Sequence, residues 1–232
     1  MVTEIICLHL SGTSDTEDFP EPIVKNEDEI LISVRAVALK NLDKSMASGK
    51  HYSTEGDMQL AKVIGGDGVG LLENGKRVYA LGVSGMMAEK AIIEKSRMLE
   101  IPEGLDDITA AALPNAVAGS AMAIRFRAVI QPGETVLING ATGFTGKMAV
   151  QIAKYYGAGK IIVTGRNQQT LQSLLALGAD EIVSINQDDE IFTAQLKQIH
   201  NNTPIDIILD YLWGHTAELI LETLKGKGGF TH

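Results

Sequence analysis

The sequence predicts a small all-β domain followed by an α/β domain built on a doubly wound parallel sheet. Three observations predict it. An apolar β-type run, Thr135 to Asn139, meets three glycines spaced by three, Gly140, Gly143 and Gly146. An amphipathic helix pattern and a second β-type run, Lys160 to Thr164, follow, and strand, glycine turn, helix, strand is the unit that holds a dinucleotide. Second, strand and helix patterns keep alternating to about Lys225, which implies parallel strands joined by helical crossovers. Third, the stretch before Thr109 reads as short strands punctuated by glycine, the pattern of a small barrel or sandwich. The change of character near Thr109 divides the chain into residues 1–113 and 114–232.

In order, Ile5 to Leu10 is the first expected strand. Glu29 to Val37 alternates polar and apolar, a half-buried strand. Arg77 to Ala80 and Ala88 to Glu94 are the next, after glycine punctuation at Gly49, Gly56, Gly65, Gly66, Gly68 and Gly70. An alanine-rich stretch from Thr109 is expected to break at Pro114 and resume as a helix over Val117 to Val129. Gln131-Pro132-Gly133-Glu134 is a turn. Then come helix Phe144–Tyr156, strand Lys160–Thr164, helix Gln168–Leu177 capped by Gly178, strand Glu181–Ile185, helix Glu190–His200, strand Ile205–Asp210 and helix His215 to about Lys225. Gly228-Gly229-Phe230 reads as the first step of a fifth strand. A full dinucleotide domain has about six strands, so the sheet is expected to be incomplete at its C-terminal end.

The bulk numbers exclude several classes. The chain has 232 residues, 45% hydrophobic and 21% charged, with a net charge of −9. An acidic chain without a basic patch is not expected to bind nucleic acid. One cysteine, Cys7, leaves no internal disulfide, and a cytoplasmic location is expected. No apolar run is long enough to span a membrane, and the N-terminus, with Glu4 inside its apolar run, does not read as a signal peptide.

The glycine turn carries the chemistry. Backbone approaches a pyrophosphate closely only where no Cβ intervenes, which is the need for Gly143 and Gly146. The helix from Phe144 offers free N–H groups and a positive dipole end to phosphate. Asn139, Gly140, Ala141, Thr142, Gly143, Phe144, Thr145 and Gly146 are therefore the candidate cofactor loop. A triphosphate loop is not indicated: Ala141 stands where glycine is needed and Met148 where Ser or Thr is needed, leaving Lys147 a surface lysine. About 20 residues past the glycines, an NAD site places Asp or Glu on the ribose 2′-hydroxyl. Here the tip reads Gly165, Arg166, Asn167. A carboxylate would repel a 2′-phosphate, whereas a guanidinium grips it bidentately. The expected cofactor is NADPH.

With these residues in hand, the chain resembles the medium-chain dehydrogenase/reductase superfamily, in its zinc-independent, quinone-oxidoreductase-like branch. The resemblance rests on Asn41-Leu42-Asp43, Ser48-Gly49-Lys50-His51-Tyr52, Gly65-Gly66-Asp67-Gly68-Val69-Gly70, Gly75-Lys76-Arg77-Val78, Ala112-Leu113-Pro114 and the cofactor stretch through Asn167. No single motif is decisive; their order and spacing together are specific. The resemblance implies a GroES-like β-barrel domain beside an incomplete Rossmann domain, with the substrate in the cleft between. It also implies that Asn41 and Tyr52 are polar residues lining the nicotinamide and substrate, each able to donate to a developing oxyanion. The family forms homodimers, and the early stop predicts a chain poorly able to do so.

Zinc members of the superfamily place Cys at Asn41 or a close neighbour, His-Glu at Gly66-Asp67, and a four-cysteine loop besides. This sequence has none of these, and its histidines show no ligand spacing; no metal is expected. Without a Lewis acid, a quinone or conjugated enone, which spreads charge itself, is an easier hydride acceptor than an isolated carbonyl. The resemblance therefore implies an NADPH-dependent reductase of small quinones or α,β-unsaturated carbonyls. Two alternatives stand beside it: an NADP(H)-binding module without turnover, and an enoyl-thioester reductase. Tyr156-Gly157-Ala158-Gly159-Lys160 spells the Y-x-x-x-K pair of short-chain dehydrogenases, but Gly157 and Gly159 break the helix between them, so Tyr156 is expected to be a packing residue.

Overall fold

The computed structural model describes residues 2–8, 14–48 and 63–224. Tyr52 and the Gly228-Gly229-Phe230 step lie outside the described residues. The chain forms two compact units, Met1–Pro114 and Asn115–His232.

In the first unit, β1 (Val2–Leu8) and β2 (Ser14–Pro20) form an antiparallel hairpin, with Val2 opposite Pro20 and Leu8 opposite Ser14. Strands β3 (Glu29–Ala36), β4 (Asp67–Leu71), β5 (Arg77–Gly82) and β6 (Lys90–Glu100) close into a barrel with antiparallel neighbours throughout. Of the two architectures open to the sequence, the barrel is the one formed. Two bulges, between Val34 and Ala36 and between Ala80 and Gly82, supply the curvature that closure needs. Ile32, Val78, Ala80, Met86, Ala91 and Ile93 fill the interior. β4 approaches so closely that a Cβ on Gly70 would lie 2.6 Å from Ile32 Cδ1. β6 runs six residues beyond Glu94 because that extension keeps a partner in β5. Its first half, to Glu94, pairs with β3; Met98 to Glu100 pair with β5. A short helix, α1 (Asn41–Ala47), lies between β3 and β4 in sequence.

Helix α2 (Asp107–Met122) runs unbroken through Pro114 and continues as a π-helical turn, Ala123–Arg127. The expected break is therefore absent. Proline forfeits one backbone hydrogen bond and crowds the preceding turn. Burial of Ala110, Ala111, Ala116 and Ser120 along the same helix offsets that loss. Arg77 fixes the helix start, its guanidinium 2.7 Å from Asp107 and donating to Leu105 O. The first-turn Asp107 is also favoured by the helix dipole.

In the second unit, β7 (Thr135–Asn139), β8 (Lys160–Gly165), β9 (Glu181–Ser184) and β10 (Ile207–Asp210) make a parallel sheet in the order β10-β7-β8-β9. Helices α3 (Phe144–Tyr155), α4 (Gln168–Leu175), α5 (Asp189–Asn202) and α6 (His215–Thr223) alternate with them. The inner strands β7 and β8 are covered on both faces, hence their continuous apolar runs. Period-two alternation divides their side chains between two cores. Val136, Ile138, Ile161 and Val163 pack with Ala149, Val150, Leu171 and Leu174 on the α3 and α4 side. Leu137 and Ile162 pack with Phe192, Leu196 and Ile220 on the α5 and α6 side. Each fully buried Ile or Leu contributes roughly 1.5–3 kcal/mol. α3 buries Gly146, Ala149, Val150 and Ala153, the i, i+3, i+4, i+7 stripe of a helix lying on a sheet.

Candidate functional site

The loop from Gly140 to Gly143 joins the carboxyl end of β7 to α3, and each glycine in it has a separate reason. Gly140 has φ +87 and lies under Leu212, whose Cγ would be 2.7 Å from a Cβ there. Gly146 lies on Ala141, where a Cβ would come within 2.5 Å of Cα. That contact lets α3 settle onto the turn. Gly143 differs. Its φ of −76 and ψ of 169 suit any residue, and among the described residues a Cβ there would meet nothing within 4 Å. No contact among the described residues requires glycine at this position. Gly143 is the N-cap of α3 and supplies no side-chain cap, so the amides of the first turn keep their capacity for an anion. A cradle that a Cβ would fill, at the positive end of a twelve-residue helix, fits a dinucleotide pyrophosphate. Phe144 is exposed at the mouth of the turn.

Beneath the loop, buried polar groups hold three strand tips together. Asn139 is fully buried; its Nδ2 donates to Asp210 Oδ1 at 2.7 Å, and its Oδ1 accepts from the Thr164 hydroxyl at 2.5 Å. Gly140 N–H donates to Thr164 Oγ1 at 3.2 Å and Ala141 N–H to Thr164 O at 2.9 Å. Asp210 further accepts from the Leu212 and Trp213 amides. Asn139 and Ala141 therefore support the turn from below, while Gly143 and Phe144 form its upper surface. Thr164 and Asp210 share that supporting role, which only the β7–β8 and β7–β10 registers disclose.

The tip of β8 lies beside the turn. A Cβ on Gly165 would collide with the Thr142 methyl, so glycine at 165 is what admits threonine where the usual motif has its middle glycine. Arg166 is exposed and makes no ion pair among the described residues. Asn167 caps α4, its Oδ1 accepting from Thr170 N–H at 2.8 Å. The tip thus presents one guanidinium and no carboxylate of its own. Tyr156 closes α3 and packs on the core, with the Arg125 guanidinium 5.7 Å from its ring.

In the first unit, Asn41 sits exposed on the first turn of α1. The inward polar side chain is its neighbour, Lys40. Lys40 Nζ lies 2.5 Å from Asp67 Oδ1 and donates to Ala38 O at 3.1 Å. Asp67 Oδ2 accepts a hydrogen bond from the Tyr79 hydroxyl. Burial, and then the Asp67 carboxylate, raise the Tyr79 pKa well above the usual phenol value, so it remains a donor. Asp43 accepts from Lys40 N–H at 2.8 Å and from Gly66 N–H at 3.3 Å, tying α1 to the start of β4. The two segments where zinc members carry ligands therefore do meet, but through an ammonium. Among the described residues no three His, Cys, Asp or Glu side chains converge. Lysine in its charged form ligates no cation, and Asp67 is already paired; these donors do not fit a zinc ion. The sequence alone does not single out Lys40, because its partner lies 27 residues away.

A cavity of about 360 Å³ on the barrel unit, rimmed by Phe19, Pro22, Ile23, Val83 and Lys90, contains none of these residues. Among the described residues no helix is long and apolar enough to cross a membrane.

Residues 145–231 match the family model described as zinc-binding dehydrogenase. The chain is 29% identical over 203 residues to a quinone oxidoreductase of Sus scrofa, covering 84% of this chain and 60% of that protein. It is also 29% identical over 216 residues to a highly reducing polyketide synthase of Purpureocillium lilacinum, covering 89% of this chain and 8% of that protein. Among solved structures, the quinone oxidoreductase of Thermus thermophilus, determined also as its complex with NADPH, matches with a TM-score of 0.79 at 29% identity. The match covers 98% of this chain and 72% of that one. The chain thus spans less than two thirds of the length of the Sus scrofa relative.

Proposed function

Because the chain belongs to the medium-chain dehydrogenase/reductase superfamily, among its quinone oxidoreductase-like members, we propose that it is an NADPH-dependent, zinc-independent oxidoreductase that delivers hydride to a quinone or an α,β-unsaturated carbonyl. One observation carries the cofactor reading: the open Cβ position of Gly143 at an uncapped helix N-terminus, with Arg166 at the adjacent strand tip. Bound NADPH supplies a hydride, two electrons with one hydrogen nucleus. The first-turn amides of α3 bind the pyrophosphate, Arg166 takes the 2′-phosphate, and Asn167 holds the backbone that presents Arg166. The Asn139–Thr164–Asp210 network keeps the turn in the bound geometry. Asn41 and Tyr52 are candidate donors to the acceptor oxygen. The zinc-free reading is supported by the Lys40–Asp67 pair, which takes up the donors a metal would need.

The polyketide synthase relative favours a second acceptor, an enoyl thioester, reduced by the same hydride addition to a conjugated double bond. A panel of quinones, enones and enoyl thioesters, followed by loss of reduced-nicotinamide absorbance with NADPH and with NADH, tests the reading. NADPH-dependent turnover of at least one conjugated acceptor is expected. NADPH binding with no turnover anywhere in the panel would make the chain a binding module instead.

A further inference from the structure

The Lys40–Asp67–Tyr79 cluster has a geometry that the cofactor reading does not use. An ammonium carries three N–H donors. Lys40 spends one on Asp67 Oδ1 and one on Ala38 O; the third has no partner among the described residues. Asp67, 8% exposed, is held from its other side by Tyr79, so the carboxylate cannot swing away. The Lys40 side chain keeps 14% of its surface exposed. The cation is therefore oriented and largely sheltered, with part of its side chain still exposed. Sheltered charge acts more strongly on a neighbouring charge than the same group in open water.

We propose that Lys40 is a catalytic residue whose free N–H donates to the carbonyl oxygen of the acceptor, with Asp67 and Tyr79 as its positioning residues. This rests on the hydride-transfer reading. As the β-carbon of the acceptor gains hydride, the C=C pair shifts toward the carbonyl and the C=O π pair moves onto oxygen. The resulting enolate oxygen is stabilised by the Lys40 ammonium, and water then supplies the proton that completes the saturated carbonyl. The cation thereby performs electrostatically what a Lewis acid performs in a metal site. It also gives a role to the charge that stands where zinc members of the superfamily carry ligands.

The test uses Lys40→Met paired with Asp67→Asn, which removes both charges together and leaves no lone buried ion. The first readout is binding of 4-nitrophenolate, a delocalised oxyanion whose absorption band moves to shorter wavelength when its oxygen accepts a hydrogen bond. Wild-type protein should bind and shift the probe. The double variant, folded by circular dichroism, should bind it roughly 10- to 100-fold more weakly, and Lys40→Arg should retain most of the binding. The second readout is turnover: enone kcat should fall by about 100-fold in the double variant with the NADPH KM unchanged, and quinone kcat should fall less. Equal probe binding or equal enone kcat in wild type and double variant overturns the proposal. So does a wild-type probe band that stays where it lies in buffer at saturating protein, whatever the variants do. Wild-type protein that shifts the probe but oxidises no NADPH overturns the reductase reading and leaves the Lys40 oxyanion site standing.

Discussion

At the scale of single residues, two glycines three positions apart answer to different demands. Gly146 is required by the fold, because a Cβ there collides with the Ala141 backbone. Gly143 is not, because its backbone is ordinary and its surroundings are open. Gly146→Ala should therefore lower unfolding stability by about 1–3 kcal/mol. Gly143→Ala should leave stability within about 0.5 kcal/mol of wild type but weaken NADPH binding. Urea denaturation and a nucleotide titration on both variants separate the two roles; equal effects on both properties would contradict them. The glycine turn was legible in the sequence because its spacing between two strands is local. Lys40 was not legible. A lysine before a helical turn is ordinarily solvated, and nothing near it in sequence announces the Asp67 carboxylate.

At the scale of elements, legibility followed periodicity. Strands β7 and β8 and helix α3 lie where their apolar patterns put them, because inner parallel strands are apolar throughout and α3 is apolar along one stripe. Strand β2, SDTEDFP, has one aromatic among acids and carries no such signal. Helix α2 shows the opposite failure. Pro114 reads as a break, yet packing along the helix holds it continuous. Just ahead of that helix, Asp106 accepts from the Thr109 N–H at 2.9 Å and from its hydroxyl at 2.7 Å. Those hydrogen bonds hold the carboxyl below its usual range. Its folded pKa is thus below its unfolded one, so its contribution is fully present above the unfolded value, about pH 4. The contribution is lost as pH falls through the folded value. Asp106→Asn should make the acid-side decline of thermal stability shallower, with no change near neutrality in the pH slope. An unchanged acid limb would show that the Thr109 contacts do not persist in solution.

At the scale of the whole molecule, a barrel unit and a parallel-sheet unit carry separable parts of the account. The sheet unit offers an anion cradle at one strand–helix turn and a guanidinium at the next strand tip. The barrel unit offers an oriented cation. The proposed hydride chemistry would draw on both, and in that proposal Arg166 selects the dinucleotide. That selection is the central claim. Its most direct measurement is isothermal titration of NADPH and NADH into wild-type protein and Arg166→Ala. Wild type should prefer NADPH, and the variant should lose roughly 10- to 100-fold in NADPH affinity, as expected for a charged hydrogen-bonded contact, while NADH affinity stays the same. Equal affinities for the two nucleotides, unchanged by the substitution, would contradict the account.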